Sequence, residues 1–350
     1  MTGFADLPCD EQAELFRQLA LSATAHWPLD VVRVEPIKVR ENAVFAVHLA
    51  DGGKVAMRVH RMGYHSDDAL QSEQLWMRAL GAQRIAVPRP VLSKAGNAFE
   101  LIELPELPGR RQVDVFHWIE GRQLGSVEHG LAAAAGSIPA IYGTVGELAA
   151  KIHNQACDWR LPAGFRRHAW DADGLAGEKP FWGRFWELPA LSQAQRSLFE
   201  RVRARMHAQL SAFGMHRNRY SLIHADLVPE NILVTGSRPQ IIDFDDAGFG
   251  WHLFEIATSL YFIRREPFYA PARDALIEGY RRVRELPDAH LRLLPLFLAA
   301  RGTTYLGWVH TRRGEPVARE LTPMLIDLAS AAAHDYLDEP SPAASPVQPQ

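Results

Sequence analysis

Two runs of alternating apolar and polar residues, "ENAVFAVHLA" (Glu41–Ala50) and "KVAMRVHR" (Lys54–Arg61), flank the turn "DGG" (Asp51–Gly53). Alternation on both sides of Asp-Gly predicts a β-hairpin. In its second strand Val55, Met57 and Val59 share one face, and Lys54, Ala56, Arg58 and His60 share the other. An arginine thus sits at the centre of a strand, two positions from a bare alanine. Upstream, a 3.6-residue period predicts a helix from about Asp10 to Leu21 with Asp10 as its N-cap, and "VVRVEPIKV" (Val31–Val39) has strand composition. Downstream, "SDDALQSEQLWMRAL" (Ser66–Leu80) predicts a helix capped by Ser66, with two aspartates in its first turn. "AFELIEL" and "RQVDVFHWIEG" (within Ala98–Gly121) predict two further strands.

After Gly121 the pattern turns helical. Ile138–Ala156, Ser192–Phe213, "FEIATSLYFI", "ARDALIEGYRRV" and much of Pro287–Tyr336 carry helical periodicity, interrupted by one β-punctuated passage, Tyr220–Gly250. The tail "EPSPAASPVQPQ" is rich in Pro and Ser and is expected to be disordered. The architecture predicted is α+β: a small β-rich lobe over 1–117, a linking segment at 116–121, and a larger helical lobe over 122–338.

Composition narrows the function class only a little. A net charge of −3 over 350 residues argues against a general nucleic-acid binder. Only Cys9 and Cys157 are present, so a reducing, cytoplasmic setting is expected, without a disulfide framework or a cysteine zinc site. The apolar run Leu291–Ala300 is short and holds Pro295; it is expected to be a buried helix rather than a membrane span. The 15 histidines form no zinc motif, and the basic runs Arg281–Pro287 and Val309–Pro316 read more readily as solvated surface than as part of a cleft.

The chemistry concentrates in "SLIHADLVPENILV" and "QIIDFDDAG". His224, Asp226 and Asn231 lie between two apolar runs, and Asp243 ends a strand 17 residues beyond Asp226, joined to it by a hairpin. Two aspartates and an asparagine converging at strand ends are oxygen ligands suited to Mg²⁺, which takes one or two carboxylates plus substrate phosphates. A remaining aspartate can accept a proton from an attacking hydroxyl, which is the layout of phosphoryl transfer. The flanking Asp245 and Asp246 read either as helpers or as solvated loop acids. On the helix Ser66–Leu80, Glu73 falls within the apolar stripe of Leu70, Met77, Leu80, Ala69 and Trp76. A carboxylate on a buried face needs a partner, and Arg58 on the preceding strand is the candidate.

This set of motifs resembles the protein-kinase-like phosphotransferases, in the version found in the aminoglycoside phosphotransferase, choline kinase and homoserine kinase superfamily, whose catalytic loop often reads H-G-D-x-x-x-x-N. The resemblance spans roughly residues 30–330 and implies a two-lobed kinase-like fold and an ATP- and Mg²⁺-dependent kinase acting on a small-molecule hydroxyl. It implies Asp226 as catalytic base, His224 as a brace of its loop, and Asn231 and Asp243 as Mg²⁺ ligands. Ala56 would pack on adenine, Arg58 would hold phosphates while paired with Glu73, and His117 C=O and Ile119 N–H would meet the adenine edge at an interlobe hinge. Glu255 would brace the catalytic loop, and Asn42 would lie near the phosphates. The sequence departs from the family pattern at three places: no glycine-rich loop precedes the hairpin, Ala225 stands where glycine is usual, and Arg58 stands where lysine is usual. A bacterial stress-response-type Ser/Thr protein kinase of the same fold is the enzymatic rival, and a nucleotide-binding module without catalysis is the rival from another class. Acceptor identity and oligomeric state are not legible.

Overall fold

The Asp-Gly turn folds as the pattern requires: the Asp51 carboxylate accepts the Gly53 N–H at 2.8 Å, and Gly52 takes a positive φ of 84°. The computed structural model describes residues 9–39, 42–127, 129–236 and 238–338. The Asp10 side chain, Arg40, Glu41 and the Pro/Ser-rich tail lie outside the described residues. Helix α1 (Cys9–Ala23) precedes strands β1 (Val31–Val39), β2 (Ala43–Leu49) and β3 (Lys54–Val59), helix α2 (Asp67–Ala82), and strands β4 (Phe99–Ile102) and β5 (Arg111–His117). The five strands form one antiparallel sheet in the order β1-β2-β3-β5-β4. Val55, Met57 and Val59 of β3 pack with Trp27, Phe45, Val113 and Val115 in a core of their own. Ala56 and Arg58 face the other way, into a cavity.

Helix α2 begins at the expected cap, with Ser66 Oγ accepting the Ala69 N–H at 3.2 Å. Its apolar stripe has a different destination from the sheet's own core. Trp76, Met77 and Leu80 join the large core of the helical region, and Trp76 Nε1 donates to Gln155 Oε1 at 2.9 Å. α2 is therefore pinned to the helical region while Glu73, on its inner face, meets the sheet.

Beyond β5 the chain runs through short strands β6 (Arg122–Gln123), β7 (Gly125–Ser126) and β8 (Gly130–Leu131) into α3 (Ile138–Asp158). β9 (Ala169–Trp170), α4 (Ala172–Ala176) and α5 (Gln193–Phe213) follow, the last opened by a capping box between Ser192 and Gln195. The β-punctuated passage forms β10 (Tyr220–Ile223), β11 (Ile232–Thr235), β12 (Arg238–Ile241) and β13 (Gly248–Trp251). Helices α6 (His252–Tyr261), α7 (Tyr269–Arg281), α8 (Asp288–Leu291), α9 (Leu294–Thr311) and α10 (Pro316–Asp338) complete the larger region. The apolar run Leu291–Ala300 enters α9, where Pro295 occupies the first turn and costs no hydrogen bond. Among the described residues no helix is long and apolar enough to cross a membrane.

Candidate active site

Hairpin β11–β12 pairs Ile232 with Ile241, so the residues just outside it, Asn231 and Ile242, face each other, and the Ile242 N–H donates to Asn231 O at 2.9 Å. Asp243 follows directly, and the hairpin thereby brings it beside the loop carrying Asp226. Asn231 Nδ2 donates to Asp226 Oδ2 at 2.7 Å and to Asp226 O at 2.9 Å. That commits the amide nitrogen to the loop and leaves the amide oxygen as the end suited to a cation.

The loop turns on Ala225, at φ 64°, where the left-handed region costs an alanine what it would not cost a glycine. Two anchors hold the strained peptide. Fully buried Glu255 on α6 accepts the N–H groups of His224 and Ala225 at 2.8 and 2.7 Å. Burial would raise the Glu255 carboxyl, but His153, His224 and these N–H groups hold it below the usual carboxylate range. The second anchor is Arg301 of α9, which donates to Ala225 O at 3.1 Å and to Asp226 Oδ1. Its guanidinium lies over the rings of Tyr305 and Trp182, 4.3 and 5.1 Å from their centroids. His224 Nδ1 accepts the Asp226 N–H at 3.2 Å and its Nε2 lies 3.0 Å from Ile242 O. With the proton placed on Nε2, the ring is a brace.

Arg58 is the second node. Register sets it opposite Asp114 of β5, and the pair is bidentate: Nε to Oδ1 at 3.1 Å and Nη2 to Oδ2 at 2.7 Å. Nη2 also donates to Glu73 at 2.7 Å, and Nη1 reaches Asp243 at 3.3 Å, with Asp245 at 3.6 Å. The Arg58–Glu73 pair expected from the sequence is present, but most of the guanidinium is spent on carboxylates. His60 adds a further cation, 3.1 Å from Asp114; burial would depress it, but Asp114 overrides and raises it to about 9. Burial, with Asp245, Asp226 and Glu73 nearby, pushes the Asp243 carboxyl up to about 6 against the pull of Arg58. Yet 43% of that side chain is open to the cleft, so a divalent cation would reach it and relieve the repulsion.

Two adjoining cavities share this floor. One, of about 410 Å³, is lined by Ala56, Arg58, Glu73, Met77, Phe116 and the segment His117–Ile119, and it takes in Asn231 and Asp243. Gly121 closes the segment; a Cβ there would meet Leu233 Cβ at 3.0 Å. The other cavity, of about 150 Å³, holds Asp226 and again Asn231 and Asp243, walled by Tyr64, Trp182, Tyr305, Trp308 and Phe262. Asn42 lines this second cavity, donating to Asp245 at 3.1 Å and accepting the Arg61 N–H. Asp245 and Asp246 are cleft residues rather than solvated loop acids: both line this wall, and the Tyr64 hydroxyl donates to Asp246. Burial and the nearby Asp226 and Asp245 push Asp246 well above its ordinary value. Arg312, from a run that reads as surface, lines the same cavity.

The partners that sequence reasoning missed are Asp114 and Arg301. Each left a signal: an acid within the apolar strand "VDVF" and a lone arginine within the apolar run "LFLAARG" both demand a buried partner.

A model of the phosphotransferase enzyme family matches residues 33–290. The chain is 28% identical to a microcompartment-associated aminopropanol kinase, whose structure superposes with a TM-score of 0.79 over 91% of this chain and 97% of that one. It is 22% identical over 315 residues to the amicoumacin kinase of Bacillus subtilis (strain 168), covering 84% of each protein. The structure of the amicoumacin kinase hAmiN in complex with AMP-PNP, Ca²⁺ and Ami is 20% identical, with a TM-score of 0.73 over 94% of this chain and 96% of that one.

Proposed function

The chain belongs to the phosphotransferase enzyme family, and on that footing we propose that it moves the γ-phosphate of Mg²⁺-bound ATP to the hydroxyl of a small amino alcohol. The observation that carries this reading is the shared floor. Asn231 and Asp243 line both cavities, with Asp226 fixed beside them on one side only. The larger cavity takes the nucleotide, with adenine against Ala56 and its edge toward the backbone of His117 and Ile119, and 116–121 as the hinge between the regions 1–117 and 122–338. The Asn231 amide oxygen and the Asp243 carboxylate would hold Mg²⁺, which neutralises phosphate charge when bound.

Asp226 is the base. Each of its oxygens is already oriented, by Arg301 and by Asn231, and each keeps a second lone-pair site for the acceptor hydroxyl. As that oxygen bonds to the γ-phosphorus, the bond to the bridging oxygen of the β-phosphate breaks, ADP leaves, and the hydroxyl proton passes to Asp226. His224 and Glu255 keep the loop in place and transfer no proton. The acceptor side sets the Asp226 and Asp245 carboxylates among five aromatic residues, a lining whose negative charge draws an ammonium group. A cavity of this size suits a small molecule better than a protein segment. The amino-alcohol class also agrees with the aminopropanol kinase likeness.

The test is phosphorus NMR of Mg²⁺-ATP mixtures with amino alcohols, homoserine, choline, sugars, aminoglycosides and a protein. Transfer to a small amino alcohol is expected. Transfer to the protein alone would favour the Ser/Thr kinase reading, and ATP binding without transfer would leave a non-catalytic module.

A further inference from the structure

A triphosphate running from the nucleotide cavity to Asp226 must pass Asp243, Asp245 and Glu73, where carboxylates outnumber the cations. Arg58 is ill placed to receive it, because its donors go to Asp114, Glu73 and Asp243. Among the lysine and arginine side chains lining the two cavities, Arg58 belongs to the nucleotide side, Arg312 to the acceptor side, and Lys38 to both. The β1–β2 register is irregular between Pro36 and Lys38, and such a bulge re-aims the side chains that follow it. Lys38 leans across the cleft, its Nζ 2.6 Å from Glu230 Oε2, beside Asn231. Glu230 is held independently of Lys38: its other carboxylate oxygen accepts the Val127 N–H at 3.2 Å, and its carbonyl accepts from Gln123 at 3.0 Å. The lysine side chain is 37% exposed, so its ammonium is open to the cleft, while the Glu230 side chain is 11% exposed and keeps its Val127 bond when the ammonium moves.

We propose that Lys38 is the cation that receives the nucleotide's phosphates, with Glu230 holding its ammonium across the cleft until nucleotide arrives. This rests on the kinase reading above. An ammonium on a flexible stem is a compact phosphate partner, able to leave one anion for another, where the forked Arg58, already bonded to three acids, is not. The assignment accounts for a phosphate-side cation in a chain whose strand arginine is occupied by acids. It also gives Arg58 a separate task, that of positioning Asp243.

Calorimetry of wild type, Lys38→Met, Lys38→Arg and Glu230→Gln with Mg²⁺-ATP and with adenosine tests it. Lys38→Met is expected to lose about tenfold or more in ATP affinity, as removal of a charge-assisted hydrogen bond does, while binding adenosine like wild type. Lys38→Arg, which keeps the charge, is expected to restore most of the loss. Glu230→Gln, which releases the ammonium, is expected to bind ATP at least as tightly as wild type. Unchanged ATP affinity in Lys38→Met would overturn the proposal, as would an equal loss for adenosine. Equal weakening of ATP by Lys38→Met and Glu230→Gln would also overturn it, since Lys38 would then act only by holding Glu230. A wild type that binds no nucleotide would overturn the kinase reading and this assignment with it.

Discussion

Arginine at position 58 does what lysine could not: its planar fork meets Asp114 with two parallel bonds and still reaches Glu73 and Asp243. The acids around it are tolerable only because the cations stay charged, and His60 is the one whose charge pH can remove. Its folded value of about 9 exceeds the ordinary 6.5, so the stability it contributes is complete below about 6.5 and fades as pH rises through 9. His60→Gln is therefore expected to destabilise by on the order of 1–3 kcal/mol at pH 6 and by much less at pH 9.5, read by urea denaturation. A gap that does not change with pH would contradict this. At this scale the Arg58–Glu73 pair was legible, because strand alternation and helical period each point one charge inward. Asp114 and Arg301 were visible as misplaced charges, but their partners were not. Cross-strand register and a contact spanning 75 positions depend on tertiary packing.

The long helices and the hairpin were legible because period, caps and Asp-Gly chemistry agree with the fold. Short strands such as β6 and β9, two residues each, carry no period to read. The destination of α2's stripe was also hidden, since a stripe announces burial without naming what covers it. The crossing of α3 on α7 depends on glycines: a Cβ at Gly279 would fall 1.9 Å from Gly143 O. Helix propensity alone would make Gly279→Ala more stable by about 1 kcal/mol. The crossing predicts the opposite, a net loss of about 1–3 kcal/mol in chemical denaturation, and a stabilised variant would show that the helices part freely.

For the whole molecule, two cores meet along one cleft, with α2 anchored in the larger and offering Glu73 to the sheet. Family membership and the kinase-like fold follow from the chain's likenesses, and the motif His224-x-Asp226 with Asn231 and Asp243 announced both in advance. The acceptor was not legible, because the cavity proposed for it is assembled from Tyr64, Trp182, Asp246, Tyr305 and Trp308, which lie far apart in sequence. The central claim is that Asp226 takes the acceptor's proton while the nucleotide is held by other groups. It is tested most directly by Asp226→Asn, with ATP affinity measured by calorimetry and single-turnover phosphate transfer measured on the same preparation. Transfer is expected to fall by about 10²–10⁴-fold, with ATP affinity within a few-fold of wild type. Transfer near the wild-type rate, or a loss that tracks lost ATP binding, would contradict the account.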